Sequence, residues 1–231
     1  MDKLPLREVF LTRENRFRLL EAGFAAAGWT GDTRYLLETG CADGAAARHM
    51  ARQGGFYITA IDVDDGLFPP ERADENVELV RADICRTPFD NGSFDGIFSE
   101  AAFSVLPDKE AAVREYARVL KKNGRVLIDD FALKTGAAPV TRDVQGVPCL
   151  DGVQTMETYR ELFARQGFRC IYSREHFSEF IRMAIGLAKF YGVSPSEVGR
   201  TIVSAFGKGG GGDEFFSNTR MTYCQMIFEK E

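Results

Sequence analysis

The sequence is poor in the residues that most often carry chemistry alone. Two histidines and one tryptophan stand among 231 residues. The cysteines, Cys41, Cys85, Cys149, Cys170 and Cys224, are odd in number, widely spaced and form no C-x-x-C pair. That pattern points to free thiols in a reducing cytoplasm and away from a disulfide framework. No metal site is expected from it. No apolar stretch approaches the roughly 20 residues that span a bilayer, and MDKLPLREVF lacks the charged-then-apolar pattern of a secretory leader.

Positive charge is also scarce. The net charge is −5, and the densest basic cluster is only Lys121, Lys122 and Arg125. Phosphate backbones need a surplus of Lys and Arg on one face, so a nucleic-acid substrate is not expected. What remains is an ordinary balance of 45% apolar and 27% charged residues. A chain of this length buries a normal core and is read as a single domain over 1–231.

Apolar periodicity divides the chain. Asn15 to Gly28 has helical spacing at Phe17, Leu20, Phe24 and Ala27, the main part of an N-terminal helical segment over 1–30. Strands are expected at Arg34–Glu38, Phe56–Asp62, Val77–Val80, Phe94–Ser99, Arg125–Asp129, Phe168–Ser173 and Met221–Phe228. Helices are expected at Ala45–Gln53, Asp108–Lys121 (closed by Gly124) and Thr155–Gln166. Strands alternating with helices imply an α/β fold with a doubly wound, mostly parallel seven-stranded sheet covered on both faces. The early strands are continuous apolar runs, as doubly covered strands should be.

One segment breaks the alternation. Over 175–218, Phe177, Phe180, Ile181, Ala184, Ile185, Ala188 and Tyr191 follow i, i+3, i+4 spacing. Ser194-Pro195-Ser196-Glu197 then has the form of a capping box opening a second helix. The run Gly207 to Gly212 reads as a flexible tether. The segment is an inserted helical cover before the last strand.

The chemistry concentrates after the first strand, in Leu36-Leu37-Glu38-Thr39-Gly40-Cys41-Ala42-Asp43-Gly44. Gly40 permits a tight turn and Gly44 a close helix start. The helix N-terminus turns its free N–H groups toward a ligand. The spacing G-x-A-x-G is shorter than the dinucleotide fingerprint. The acid two residues before the first glycine repels a pyrophosphate and suits a ligand carrying positive charge, such as a sulfonium nucleoside. Asp62 closes the second strand 22 residues after Gly40, the spacing at which an acid meets a ribose diol. Arg81-Ala82-Asp83-Ile84 follows the third strand, offering Asp83 to an adenine amino group and Ile84 to the ring. Asn91-Gly92 makes a turn, and Ser99 and Glu100 then stand at the carboxyl edge of the sheet, where open α/β folds bind ligands.

In order and spacing these residues resemble a class I S-adenosylmethionine-dependent methyltransferase of the small-molecule type. LLETGCADG, AIDVD, RADI, TPFDNGSFDGIFSE and REYARVLKKNGRVLIDDF carry the resemblance, over about Tyr35 to Phe131. It implies a Rossmann-like sheet and S-adenosylmethionine as cofactor. Glu38, Gly40 and Gly44 would hold the methionine part, Asp62 the ribose, Asp83 and Ile84 the adenine, and Ser99 the inner edge, with Ala42 and Val63 as further cofactor-binding residues. Ala42 departs from the family's usual glycine; its methyl costs little if φ stays negative.

For the transfer itself the protein must align a nucleophile and exclude water. Glu100 and His176 are the candidate bases, with Asp129 and Asp130 behind them; His49 reads as structural. Phe103, Phe177, Phe180 and Met183 are expected to line an apolar pocket with Cys149, under the cover. The absence of an N/D-P-P-F/Y motif after the fourth strand argues against a nucleic-acid base or a protein glutamine as acceptor. Three alternatives stay open: a nucleotide-binding oxidoreductase, a non-catalytic cofactor-binding module, and a metalloid methyltransferase using Cys149 with Cys41. Neither the acceptor nor the oligomeric state follows from these residues.

Overall fold

The computed structural model describes residues 15–69, 75–134, 136, 151–206 and 221–231. The elements run α1 (Arg18–Ala26), β1 (Tyr35–Thr39), α2 (Ala45–Gly54), β2 (Tyr57–Asp62), a 3₁₀ turn (Asp65–Leu67), β3 (Val77–Arg81), β4 (Phe94–Glu100), α3 (Lys109–Val119), β5 (Leu120–Leu133), α4 (Met156–Arg165), β6 (Phe168–Glu175), α5 (Phe177–Tyr191), α6 (Val198–Phe206) and β7 (Met221–Lys230).

The strands form one sheet in the order β3-β2-β1-β4-β5-β7-β6. β1 to β5 pair in parallel, and β7 lies antiparallel to both β5 and β6. The expected α/β, mostly parallel, seven-stranded Rossmann-like sheet is therefore present. Parallel strands buried on both faces need apolar side chains on both. Leu36 and Leu37, adjacent in sequence and pointing to opposite faces, are both fully buried.

Each face has its own core. Leu36, Ile58, Phe98, Leu127 and Ile227 face α1 and α2, where Leu20, Phe24, Ala47 and Met50 cover them. Leu37, Ile97, Val126, Ile128 and Phe228 face α3 and α4, meeting Val113, Tyr116, Tyr159 and Phe163. Phe163 stacks on Phe228 with centroids 3.8 Å apart. A third cluster joins the inserted helices to the upper sheet, with Met183, Leu187, Val198 and Ile202 against Phe131, Leu133 and Tyr223.

Several boundaries differ from the sequence reading. The helix expected over Asp108–Lys121 ends at Val119, and β5 begins at Leu120 instead of Arg125. Gly124 is not its cap. It lies inside β5, where a Cβ would come within 2.9 Å of the Asp95 carbonyl oxygen, and the left-handed residue there is Asn123 at φ 62°. Lys121 is drawn into the strand by its ion pair with Asp95, at 2.6 Å. α1 is shorter than the expected Asn15–Gly28. At the insert, Ser194 N–H and Oγ–H both donate to the Glu197 carboxylate, the reciprocal half of the expected capping box, although the helix proper starts only at Val198. The tether expected at Gly207–Gly212 lies outside the described residues.

Candidate functional site: a carboxylate-lined edge of the sheet

The turn after β1 is built by backbone restraint. Gly40 and Cys41 N–H groups both donate to the Ile61 carbonyl, at 2.9 and 3.0 Å, which lashes the turn to β2. Gly40 sits at φ 74°, and a Cβ there would lie 2.2 Å from the Ala102 Cβ. Gly44 sits at φ 71° as the residue before α2, and a side chain there would strike Leu79 at 2.6 Å. Both glycines expected in the turn are thus required by sterics.

Ala42 corrects one expectation. Its φ is 51°, in the left-handed region, which costs an L-residue about 1–2 kcal/mol. Ala101, just beyond β4, is also left-handed at φ 54°. Left-handed alanines thus stand on both sides of Gly40, each in a conformation that costs an L-residue energy.

Four carboxylates stand at the ends of successive strands. Glu38 is 3% exposed, and its Oε2 accepts from the Ala47 N–H of α2 at 3.0 Å. Burial, reinforced by the charge of Glu100, pushes its pKa up to about 8, against the opposing pull of Arg16 and the Ala47 N–H. Asp62 at the end of β2 accepts from Ala42 N–H through Oδ2 at 2.9 Å and from Asp64 N–H through Oδ1 at 3.0 Å. Val63 beside it is exposed. Asp83 follows β3, exposed, with Oδ1 accepting from Cys85 N–H at 2.8 Å. Ile84 is buried and approaches Gly40. Glu100 ends β4 and pairs with Arg16 at 3.6 Å.

The sheet register sorts the remaining candidates by face. Glu100 is opposite Asp129 across β4 and β5, and Asp129 is opposite Gln225 on β7. Gln225 donates from Nε2 to both Asp129 Oδ1 and the Leu19 carbonyl, each at 2.9 Å. Glu38, Glu100 and Asp129 therefore form an acidic row on the α1 face. Ser99 and Asp130 point the other way. The Ser99 hydroxyl donates to the Thr39 carbonyl at 3.2 Å, bracing β4 to β1. Asp130 accepts from Ser104 and Phe131 N–H groups; burial raises its pKa to about 6. It holds the loop after β4 from inside the core.

His176 stands at the far margin. Its N–H donates to the Tyr223 carbonyl, on the strand pair β7–β6. Three strand steps separate β6 from β4, about 14 Å, so His176 and Glu100 are not brought together. Its Nε2 is buried with no hydrogen-bond partner. Burial, with Arg174 nearby, holds its pKa below the usual imidazole value. Phe103 is fully buried among Tyr116, Tyr159 and Phe163, on the α3 face. Phe180 packs edge-on to Phe131 at 6.4 Å, while Phe177 is 46% exposed. Cys149 lies outside the described residues.

Sequence reasoning passed over Arg16, Ala102 and the Asp129–Gln225 pair. The first lies ahead of its helix with no motif around it. Ala102 becomes visible only through its packing against the Gly40 turn, and the Asp129–Gln225 pair only through strand register.

The residues present fit a cationic nucleoside with an amino-acid tail. The Gly40 turn admits no side chain, and Glu38, Asp62 and Asp83 stand at the ends of three neighbouring strands. Among the described residues no cluster of His, Cys, Asp and Glu is arranged to hold a metal ion.

The methyltransferase-domain family matches residues 37–128, the stretch that carries Glu38, Asp62, Asp83 and Glu100 and stops just before Asp129. A sarcosine/dimethylglycine N-methyltransferase of Halorhodospira halochloris is 29% identical over 66% of this chain and 57% of its own. A 27-O-demethylrifamycin SV methyltransferase of Amycolatopsis mediterranei is 30% identical over 48% of this chain and 44% of its own. The chain thus spans roughly half the length of these curated relatives. Among solved structures, a proposed sarcosine dimethylglycine methyltransferase from Galdieria sulphuraria superposes with a TM-score of 0.75 at 21% identity, covering 100% of this chain and 90% of that one. That likeness concerns the fold. Residues 37–128 match the methyltransferase-domain family, and the fold is that of the class I S-adenosylmethionine-dependent methyltransferases.

Proposed function

We propose that the protein transfers the methyl group of S-adenosylmethionine to a small-molecule acceptor bound between the end of β4 and the inserted helices. The observation that carries this reading is the succession of Glu38, Asp62 and Asp83 at the ends of three neighbouring strands, beside a turn whose glycines admit no side chain.

Glu38, with the backbone of Gly40, Ala42 and Gly44, holds the amino-acid part. Asp62 accepts from the ribose hydroxyls beside Val63. Asp83 and Ile84 receive the adenine. Ser99 shapes the inner edge through its backbone, its hydroxyl being engaged by Thr39. When bound, the cofactor supplies a methyl carbon already activated by a sulfonium. The chain's own work is to align the acceptor and keep water out, a proximity effect worth up to roughly 7–11 kcal/mol. Glu100, at the end of β4, is the group set to take a proton from an O–H or N–H acceptor.

The insert over 175–218 acts as the acceptor's cover within a single domain. Phe131, Phe180, Met183 and Tyr223 form its apolar underside. Amines and hydroxyl compounds are the first acceptors to test, since the named relatives act on both. The metalloid alternative loses support at Cys41, whose thiol is buried and pushed to a high pKa by burial, Glu38 and Asp62. No described helix is long and apolar enough to cross a membrane, and we read the unpaired thiols at 41, 85, 170 and 224 as those of a cytoplasmic protein.

The test is calorimetry with S-adenosylmethionine, S-adenosylhomocysteine and NAD, followed by labelled-methyl transfer to a metabolite panel. Binding of the two sulfur nucleosides with methyl transfer is expected. Binding without any transfer would favour a non-catalytic module, and a preference for NAD would reject the reading.

A further inference from the structure

Arg16 occupies a position that the acids of the site do not explain. It precedes α1, yet its side chain is only 11% exposed and lies 3.6 Å from the Glu100 carboxylate, itself 8% exposed. Its charge acts on Glu38 in opposition to that of Glu100, so the three groups lie near one another on the α1 face.

The arginine is held there by a layered support. Its guanidinium carbon lies 4.9 Å from the centre of the Phe17 ring. Phe17 in turn stacks on His49 of α2 at 4.2 Å and 17°, and His49 Nε2 meets Glu21 at 2.7 Å. α2 is the helix that begins at the Gly40–Gly44 turn and donates Ala47 N–H to Glu38. The stack therefore sets the arginine against the same helix end that holds Glu38.

The separation from Glu100 is ionic contact, longer than the 2.7–2.9 Å of a charge-assisted hydrogen bond. A guanidinium is shaped for a two-pronged grip on a planar carboxylate. The amino-acid tail of the cofactor is a zwitterion. Glu38 answers its ammonium, and its carboxylate needs a cation a few ångströms away.

We propose that Arg16 is the receptor for the carboxylate of the cofactor's amino-acid tail, and that it exchanges Glu100 for that carboxylate on binding. This rests on the reading of the edge as an S-adenosylmethionine site. Glu100 then acts as a placeholder at Arg16 until the cofactor binds. Once exchanged, it faces the acceptor without the arginine. The exchange conserves charge and moves no proton.

The experiment uses two probes, S-adenosylhomocysteine, which has the tail, and 5′-methylthioadenosine, which lacks it. Affinities are measured for the full chain and for Arg16→Gln, Arg16→Lys, Glu100→Gln and the Arg16→Gln/Glu100→Gln double variant, with thermal melts to verify folding. Arg16→Gln should weaken S-adenosylhomocysteine about 10–100-fold, the scale of hydrogen bonds to a charged group, and leave 5′-methylthioadenosine within about twofold. Arg16→Lys should fall between, keeping charge without the fork. Glu100→Gln should tighten S-adenosylhomocysteine severalfold, and that gain should vanish in the double variant. Equal losses for both probes, no loss for either, or the same Glu100→Gln effect in both backgrounds would overturn the exchange while leaving the cofactor site intact. A parent chain that binds neither probe would remove the site and the exchange together.

Discussion

The Ala42 N–H donates to Asp62 Oδ2 at 2.9 Å, so the acid that closes β2 also fixes the backbone of the turn that follows β1. The two halves of the cofactor edge are joined by that bond. Asp62→Ala removes it together with the acceptor for Asp64 N–H. We expect cofactor affinity to fall by about 1.5–3 kcal/mol, read by calorimetry with S-adenosylhomocysteine. Unchanged affinity would assign the ribose to another partner.

The left-handed turn makes a second prediction at Ala42 itself. Glycine tolerates φ 51° without a Cβ penalty. Its greater freedom in the unfolded chain offsets part of the gain. Ala42→Gly should therefore raise stability by about 0.5–1 kcal/mol in urea melts. A loss of stability would mean that the alanine is not strained.

Gly40→Ala should disable the site. The new Cβ would lie 2.2 Å from that of Ala102, so the turn or the loop after β4 must move. We expect a loss of roughly 2 kcal/mol or more from overpacking and left-handed strain combined, with weakened cofactor binding. Removing the opposing methyl in Gly40→Ala/Ala102→Gly should restore part of the stability and leave the strain. If the double variant melts no higher than the single one, the contact is not the cause.

The pKa of Glu38 predicts a pH signature. Burial raises it from 4.5 to about 8 in the folded chain. Between those values the native state holds a proton that the unfolded state has released. Stability therefore falls as pH rises through about 4.5 to 8 and levels off above, by an amount on the order of several kcal/mol. Glu38→Gln should flatten this slope in urea midpoints taken from pH 5 to 9. Pairing with the cofactor's ammonium should also expel the proton. Binding heats at pH 7 should then track the buffer's ionisation enthalpy with roughly one proton released, and the dependence should disappear in Glu38→Gln. Identical pH profiles for the two proteins would refute the assignment.

Tyr191 offers a test away from the acids. It packs on the cluster beneath the cover, and its hydroxyl is buried with no hydrogen-bond partner. Leaving such a group unmet costs about 1–3 kcal/mol. Tyr191→Phe should raise the melting temperature of the ligand-free protein. A lower melting temperature would show that the hydroxyl already has a stabilising contact.

Much of this edge was legible in the sequence because its logic is local. Glu38, Gly40, Gly44, Asp62 and Asp83 lie within or just after short apolar strands, and a strand ending in an acid before a glycine reads the same in sequence and in space. The alternation of strand and helix likewise gave the sheet. What escaped notice depends on pairing between distant segments. Leu127, Ile128, Asp129 and Asp130 alternate faces, so Asp129 falls on the side of Glu38 and Glu100 and Asp130 on the other, and only register tells which. Leu120 and Lys121 suit a helix in sequence, while the pairing of Leu120 with Phe94 of β4 and the ion pair of Lys121 with Asp95 go with a strand. Arg16 falls within the expected helix Asn15–Gly28 but carries no motif, and its place beside Glu100 emerges only when that segment folds across the sheet.

The position of β7 has a consequence for how the chain is made. It lies between β5 and β6, so β6, synthesised earlier, has no neighbour to join until the segment from Met221 to Lys230 is delivered. A nascent or truncated product ending before Met221 exposes the whole outer margin of β5 as a bare pairing template. Such fragments should be prone to clumping and quick to be cleared by proteases, and completion of the sheet waits on the ten residues of β7.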